Sequence, residues 1–154
     1  MIRHSAAAKL VLRSPEGIVL PYGESGRYNL PGGGIDDGET PLDALSREID
    51  EELGCSVSAM APVWLGERTF LTTDKTGEPQ LRRWNIFVGH TGMKLADFHC
   101  GDDIQGVTAL TPEELYSNSR VTASTKFAVA LAISAARGLL LQSPAQVVHQ
   151  RRLG

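Results

Sequence analysis

The sequence predicts a single mixed α/β domain, and three observations carry that expectation. The chain has 154 residues, enough for one domain with a real core. Short apolar runs bounded by Gly and Pro recur along it, as strands require. Between and after them lie segments that open on Thr-Pro and run on with helical spacing. Hydrophobic residues at 42% and charged residues at 21% are ordinary globular values and exclude disorder of the whole chain. A net charge of -3 argues against a broad nucleic-acid footprint, and no DNA partner is expected.

Taken in order, Ala7–Leu12 reads as a first strand, Ser14-Pro15-Glu16-Gly17 as a turn, and Ile18–Leu20 as the returning strand of a hairpin. Residues 21–27 read as loop, and Leu30-Pro31-Gly32-Gly33-Gly34 as a rigid entry followed by permissive backbone. Thr40–Leu53 is the clearest helix. Thr40 caps it, Pro41 suits its first turn, Asp43 completes a capping box, and Gly54 ends it. Residues 57–70 have strand character centred on Val63-Trp64-Leu65, residues 72–79 read as a polar turn, and 81–91 as another strand. Thr111–Leu115 opens a short helix, and residues 122–141 form a long Ala-rich one. The domain is therefore expected over residues 1–141, with 142–154 as a polar C-terminal tail. Cys55 and Cys100 lack metal-ligand spacing and read as buried small hydrophobes in a reducing, cytoplasmic setting. No signal peptide or membrane span is expected. Trp64 and Trp84 are expected in the core.

On a helical wheel, Leu42, Leu45, Ile49 and Leu53 fall within a sector of roughly 80°, the core face. Glu48, Glu51 and Glu52 sit beside it at i, i+3, i+4, so the three carboxylates are neighbours. They repel one another, and they lie toward the helix C-terminus, where the macrodipole disfavours anions. Arg47 can offset Glu51, but no cation follows Glu48 or Glu52 at i+4. A hard divalent cation resolves both problems, and all-oxygen ligands point to magnesium or manganese.

The segment from Gly33 to Cys55 resembles the Nudix box, G-x5-E-x7-R-E-U-x-E-E-x-G-U, where U is a bulky apolar residue. Gly33, Glu39, Arg47, Glu48, Glu51, Glu52 and Gly54 match all seven fixed positions, a coincidence on the order of 10⁻⁸ at one register. Cys55 replaces the last apolar residue. The resemblance implies a Nudix-type α/β/α sandwich around a mixed sheet, and a metal-dependent hydrolase that cleaves the diphosphate linkage of a nucleoside diphosphate joined to another group. It implies Glu48, Glu51 and Glu52 as metal ligands with the carbonyl of Gly32, Arg47 as the residue that orients a glutamate, and Glu39 as a loop brace. The base is Glu48 or a carboxylate of a later loop, for which Asp102 and Asp103 are placed before Val107–Leu110. Tyr28, Leu30, Gly33 and Arg83 are candidate substrate contacts, with Arg68 and Arg82 as further phosphate-binding candidates. A homodimer is consistent with the family. Two other functions fit the same motif. One is RNA 5′-end pyrophosphate removal, which wants a basic channel. The other is a non-catalytic nucleotide-metabolite sensor, which the intact glutamates disfavour. The substrate itself is not legible.

Overall fold

In the computed structural model, which describes residues 2–141, six strands and three helices follow one another in mixed order. The strands are β1 (Arg3–Ser14), β2 (Gly17–Tyr22), β3 (Gly32–Gly34), β4 (Val63–Thr73), β5 (Pro79–His90) and β6 (Gly106–Leu110). The helices are α1 (Pro41–Leu53), α2 (Pro112–Ser117) and α3 (Ala123–Leu141). The main sheet order is β4-β5-β1-β2-β6, and β3 pairs with β1 off that path. β1 runs parallel to β5 and antiparallel to β2 and β3, so the sheet is mixed.

β1 is the centre of the sheet, and its nearly unbroken apolar run, Ala6 to Leu12 interrupted by Lys9, suits a strand covered on both faces. Ala7 and Val11 face one way, with Trp84 and Ile86 of β5, and meet Leu115 of α2 and Ala128, Val129 and Ala132 of α3. Ala8, Leu10 and Leu12 face the other way, with Phe87, and meet Ala44, Leu45, Ile49 and Leu53 of α1. The result is the expected helix–sheet–helix sandwich. Leu45, Ile49 and Leu53 are fully buried, so truncating any of them to Ala costs about 2–5 kcal/mol.

The predicted capping box of Thr40 with Asp43 forms on α1, and a second, Thr111 with Glu114, forms on α2. Gly54 ends α1 in the left-handed conformation at φ 65°. Several sequence expectations are corrected. Leu42 is exposed, because Ala44 takes the buried place and Leu42 shares the solvated first turn with the capping box. Trp64 is 57% exposed on the edge strand β4, next to a register shift at Trp64/Gly66, and its indole donates to Asn85 at 3.2 Å. Residues 57–60 form a 3-10 turn, so β4 starts later than expected and extends further. Cys100 is exposed, while Cys55 packs partly against the α1 core. β3 and β6 carry no strand signal in the sequence, because β3 is three glycines and β6 is short. The expected tail, 142–154, lies outside the described residues.

Candidate active site

The approach of the chain to α1 is set by glycines. Gly32 has φ 126°, and a side chain there would overlap the carbonyl oxygen of Ala8 on the paired strand. At Gly33 a Cβ would lie 2.6 Å from the carboxyl carbon of Glu48, so the absence of a side chain is what seats that carboxylate against the backbone.

Arg47 ties loop to helix. Its Nε and Nη2 donate to the two oxygens of Glu39, each at 2.9 Å; Nη2 also donates to the carbonyl of Gly34 at 2.9 Å, and Nη1 to Glu48 at 3.0 Å. Glu51 and Asp36 lie 3.7 and 3.4 Å from the same guanidinium. Glu39 accepts the backbone N–H of Asp36 at 2.8 Å as well, so it braces the loop. The Arg47 hydrogen bonds hold the Glu39 carboxyl at about 2, and Glu39 in turn raises the guanidinium further above its usual value.

Glu52 has different surroundings. It accepts the N–H of Gly32 at 3.3 Å. Burial, with repulsion from Glu48, lifts its carboxyl to about 7 against the attraction of Lys9 and the Gly32 hydrogen bond. Lys9 lies opposite Gly32 in the β1–β3 pairing. Burial lowers its pKa, while Glu52 and Glu48 pull it back up and Arg82 pushes it down.

A second wall comes from the segment after β5. The N–H of His99 donates to the carbonyl of Leu53 at 3.0 Å, and that of Gly101 to the carbonyl of Glu52 at 3.2 Å. These bonds satisfy carbonyls that the end of α1 leaves without helical donors. A side chain at Gly101 would overlap the carbonyl of Glu51. Asp102 and Asp103 are thereby held beside the helix. Glu48, Glu51, Glu52, Gly101, Asp102, Asp103 and Ile104 line one open cleft of about 470 Å³.

Among the described residues no three carboxylates yet converge on one point as a preformed cage. Arg47 draws Glu48 and Glu51 toward the loop, while Glu52 turns to Gly32. The donor chemistry nonetheless fits a hard divalent cation: carboxylate oxygens of Glu48, Glu51 and Glu52 on one helix edge, with Glu52 largely buried beside Glu48.

The other sequence candidates sit elsewhere. Tyr28 packs against Tyr22, with ring centroids 5.6 Å apart, and accepts from Arg120 at 2.9 Å. Leu30 is buried and lines a separate pocket with Lys9 and Arg82. Arg83 lies on the strand next to Arg82 but lines a different depression with His4 and Thr69, and it pairs with Glu67 at 3.5 Å. Lys9 and Gly101 were not foreseen. A lone cation inside the apolar run of β1 was a usable signal for Lys9; nothing local marks Gly101, whose constraint comes from the distant end of α1.

Fold and site together define an α/β/α sandwich with a glycine-seated loop–helix–loop that presents clustered carboxylates beside β1. The chain belongs to the Nudix family: the NUDIX domain model matches residues 3–131. An RNA pyrophosphohydrolase of Helicobacter pylori is 49% identical over 43 residues, 26% of this chain and 28% of that protein. A putative 8-oxo-dGTP diphosphatase 2 of Mycobacterium tuberculosis is 38% identical over 68 residues, 44% of this chain and 46% of that protein. The chain thus aligns with less than half the length of these curated relatives. Among solved structures, a C. elegans Ap4A hydrolase superposes with a TM-score of 0.68 at 17% identity, covering 87% of this chain and 98% of that one. A MutT protein from Methanosarcina mazei gives 0.65 at 17% identity, covering 87% and 96%. At such identities these structures share the fold.

Proposed function

We propose that the chain is a hydrolase, dependent on magnesium or manganese, that cleaves the diphosphate linkage of a nucleoside diphosphate joined to another group. The observation that carries this reading is the cleft in which Glu48, Glu51 and Glu52 face Asp102 and Asp103. A diphosphate and a wall of carboxylates repel each other, so they meet productively only with a cation between them. The names of the two curated relatives support a phosphoanhydride bond as the target. The unpaired state of Cys55 and Cys100 is in keeping with a cytoplasmic setting.

Glu48, Glu51 and Glu52, with the carbonyl of Gly32, would hold the cation. When bound, it supplies neutralisation of the phosphate charge and a lowered pKa for water. Arg47 fixes the direction of Glu48, and Gly33 leaves room for that carboxylate. Asp102 or Asp103 accepts the proton as a water oxygen bonds to phosphorus and the bridging P–O bond breaks; Glu48 is the alternative base within the box.

The test is a panel of nucleoside triphosphates, oxidised nucleotides, nucleotide sugars, ADP-ribose, dinucleoside polyphosphates and 5′-triphosphorylated RNA, reading phosphate and pyrophosphate release. Turnover should vanish on metal removal and return with magnesium or manganese. Glu52→Gln should lower kcat by at least about 10²-fold, beyond the 10–100-fold typical of groups that merely support ligands, with the fold unchanged by circular dichroism. Full turnover in metal-free protein, or wild-type rates in that variant, would falsify the reading.

A further inference from the structure

β4 and β6 are the two edges of the main sheet. β6 is five residues long, and a short edge strand offers little to a foreign strand. β4 is eleven residues long, contains neither Lys nor Pro, and has its register shift near its start, at Trp64/Gly66. From Gly66 to Thr73 it is regular, and its outer row of N–H and C=O groups has no strand partner among the described residues. Such an edge is a template for another strand.

The side chains on it are not those of a solvated edge. In β5, Leu81, Arg83, Asn85 and Phe87 alternate onto the face that carries α1, and Leu71, Thr69, Glu67 and Trp64 of β4 lie opposite them. Leu71 and Trp64 are 68% and 57% exposed on that face. On the other face, Arg68 and Phe70 lie opposite Trp84 and Arg82, and the exposed Phe127 of α3 packs edge-on against Phe70. Along the strand the order is apolar, charged, apolar: Trp64, then Glu67 and Arg68, then Phe70 and Leu71. That order is the same when reversed, so the strand is matched to an antiparallel copy of itself.

Charge and overlap then select the register. Opposed residues of an antiparallel pair share a face, so two copies of β4 pair with one residue on their two-fold axis. An axis at Glu67 or at Arg68 sets like charges directly opposite each other, which is unfavourable. An axis at Phe70 carries Trp64 past the end of the partner strand. An axis at Thr69 sets Thr69 against the partner's Thr69, Arg68 against the partner's Phe70, and Glu67 against the partner's Leu71. Threonine pairs are favourable across strands, and a guanidinium is attracted to an aromatic ring. Trp64 then lies beside the end of the partner strand, on the same face as the partner's Leu71.

We propose that the chain forms a two-fold homodimer by antiparallel pairing of β4 with the β4 of a second copy, centred on Thr69, so that the two sheets become one.

Sedimentation over a concentration series measures the association, and a cysteine on the axis locates it. The mass should rise from one chain to two. Leu71→Lys, at an exposed position, should weaken association at least about ten-fold, because a Lys on an edge strand opposes pairing; circular dichroism checks that the fold is kept. In a Cys55→Ala, Cys100→Ser background, which removes both native thiols, Thr69→Cys is treated with diamide. Its two Cα atoms would lie about 4.5–5.5 Å apart across the axis, within disulfide reach, so a linked dimer should form. Glu67→Cys is out of step with its copy by the run from Glu67 to Leu71, about 14 Å, and should stay unlinked. A single-chain mass at every concentration would leave the edge to a foreign strand and overturn the proposal. So would a dimer that Leu71→Lys leaves intact, no linkage at Thr69, or linkage at Glu67 as ready as at Thr69.

Discussion

Around α1, the guanidinium of Arg47 spends its donors on Glu39, Gly34 and Glu48, and the loop is braced before any ligand arrives. Across the sheet, Thr72, Arg82 and Trp84 keep buried polar atoms without partners among the described residues. The first region is braced and acidic; the second is unsatisfied and basic. The two regions should therefore fail differently. Damage around α1 should appear in turnover and in metal dependence, where geometry decides the rate. Damage across the sheet should appear in stability, because a buried donor without an acceptor costs free energy in the folded state.

The largest effect is expected at the acidic cleft. If the loop supplies the base, Asp102→Asn or Asp103→Asn should lower kcat by roughly 10²–10⁴, with the magnesium concentration for half-maximal rate nearly unchanged. Steady-state rates against magnesium concentration check this. Nearly full activity in both variants would move the base to Glu48 and make the cleft's second wall a mere boundary.

A smaller loss is expected from Arg47→Lys. An ammonium cannot span Glu39 and Glu48 with a fixed fork, so the carboxylates lose their common brace. The magnesium requirement should rise about 10–100-fold, the usual cost of removing support behind a metal ligand. An unchanged magnesium profile would mean that the brace serves the loop alone.

The smallest effect is one of acid stability. Arg47 depresses the Glu39 carboxyl from 4.5 to about 2. A depressed carboxylate stabilises the fold above its unfolded value and stops doing so as pH falls through its folded value. The stability gap between wild type and Glu39→Gln should therefore be level above pH 4.5 and close between 4.5 and 2. Denaturant melts across that range measure it, and a gap independent of pH would show that Glu39 acts by shape rather than by charge.

Much of the acidic region was legible in the sequence because its constraints are local. The capping box, the glycine end of α1, the glutamate spacing and Arg47 all lie within one loop–helix–loop, where helical geometry alone fixes neighbours. Asp102 and Asp103 could be named as loop carboxylates, but their approach to α1 depends on the bonds of His99 and Gly101 to its last carbonyls, which no local pattern encodes. The basic pocket was less legible still. In the sequence Arg82 is one of several strand arginines, Trp84 reads as ordinary core, and Lys9 is a single cation in an apolar strand. They meet because strands from separate parts of the chain lie side by side, and alternation then decides that Arg82 and Arg83 serve different faces. The misplacement of Trp64 has the same origin: an aromatic in a strand pattern does not announce that its strand is an edge.

The parallel seam between β1 and β5 also orders events in time. Every pair in it, from Arg3 with Gln80 to Arg13 with His90, joins opposite halves of the domain. The β1–β2 turn and the β4–β5 hairpin close over short loops and can form early, whereas the seam must wait for a long loop to close. Substitutions at Leu45 or Ile49 should then slow folding only in so far as α1 is already docked on β1 at the transition state. Those at Ile86 should chiefly speed unfolding if the seam zips last. In kinetic terms, α1 with its glutamates is assembled from one continuous stretch of chain, and the pocket that unites Lys9 with Arg82 comes into being only when the two halves meet.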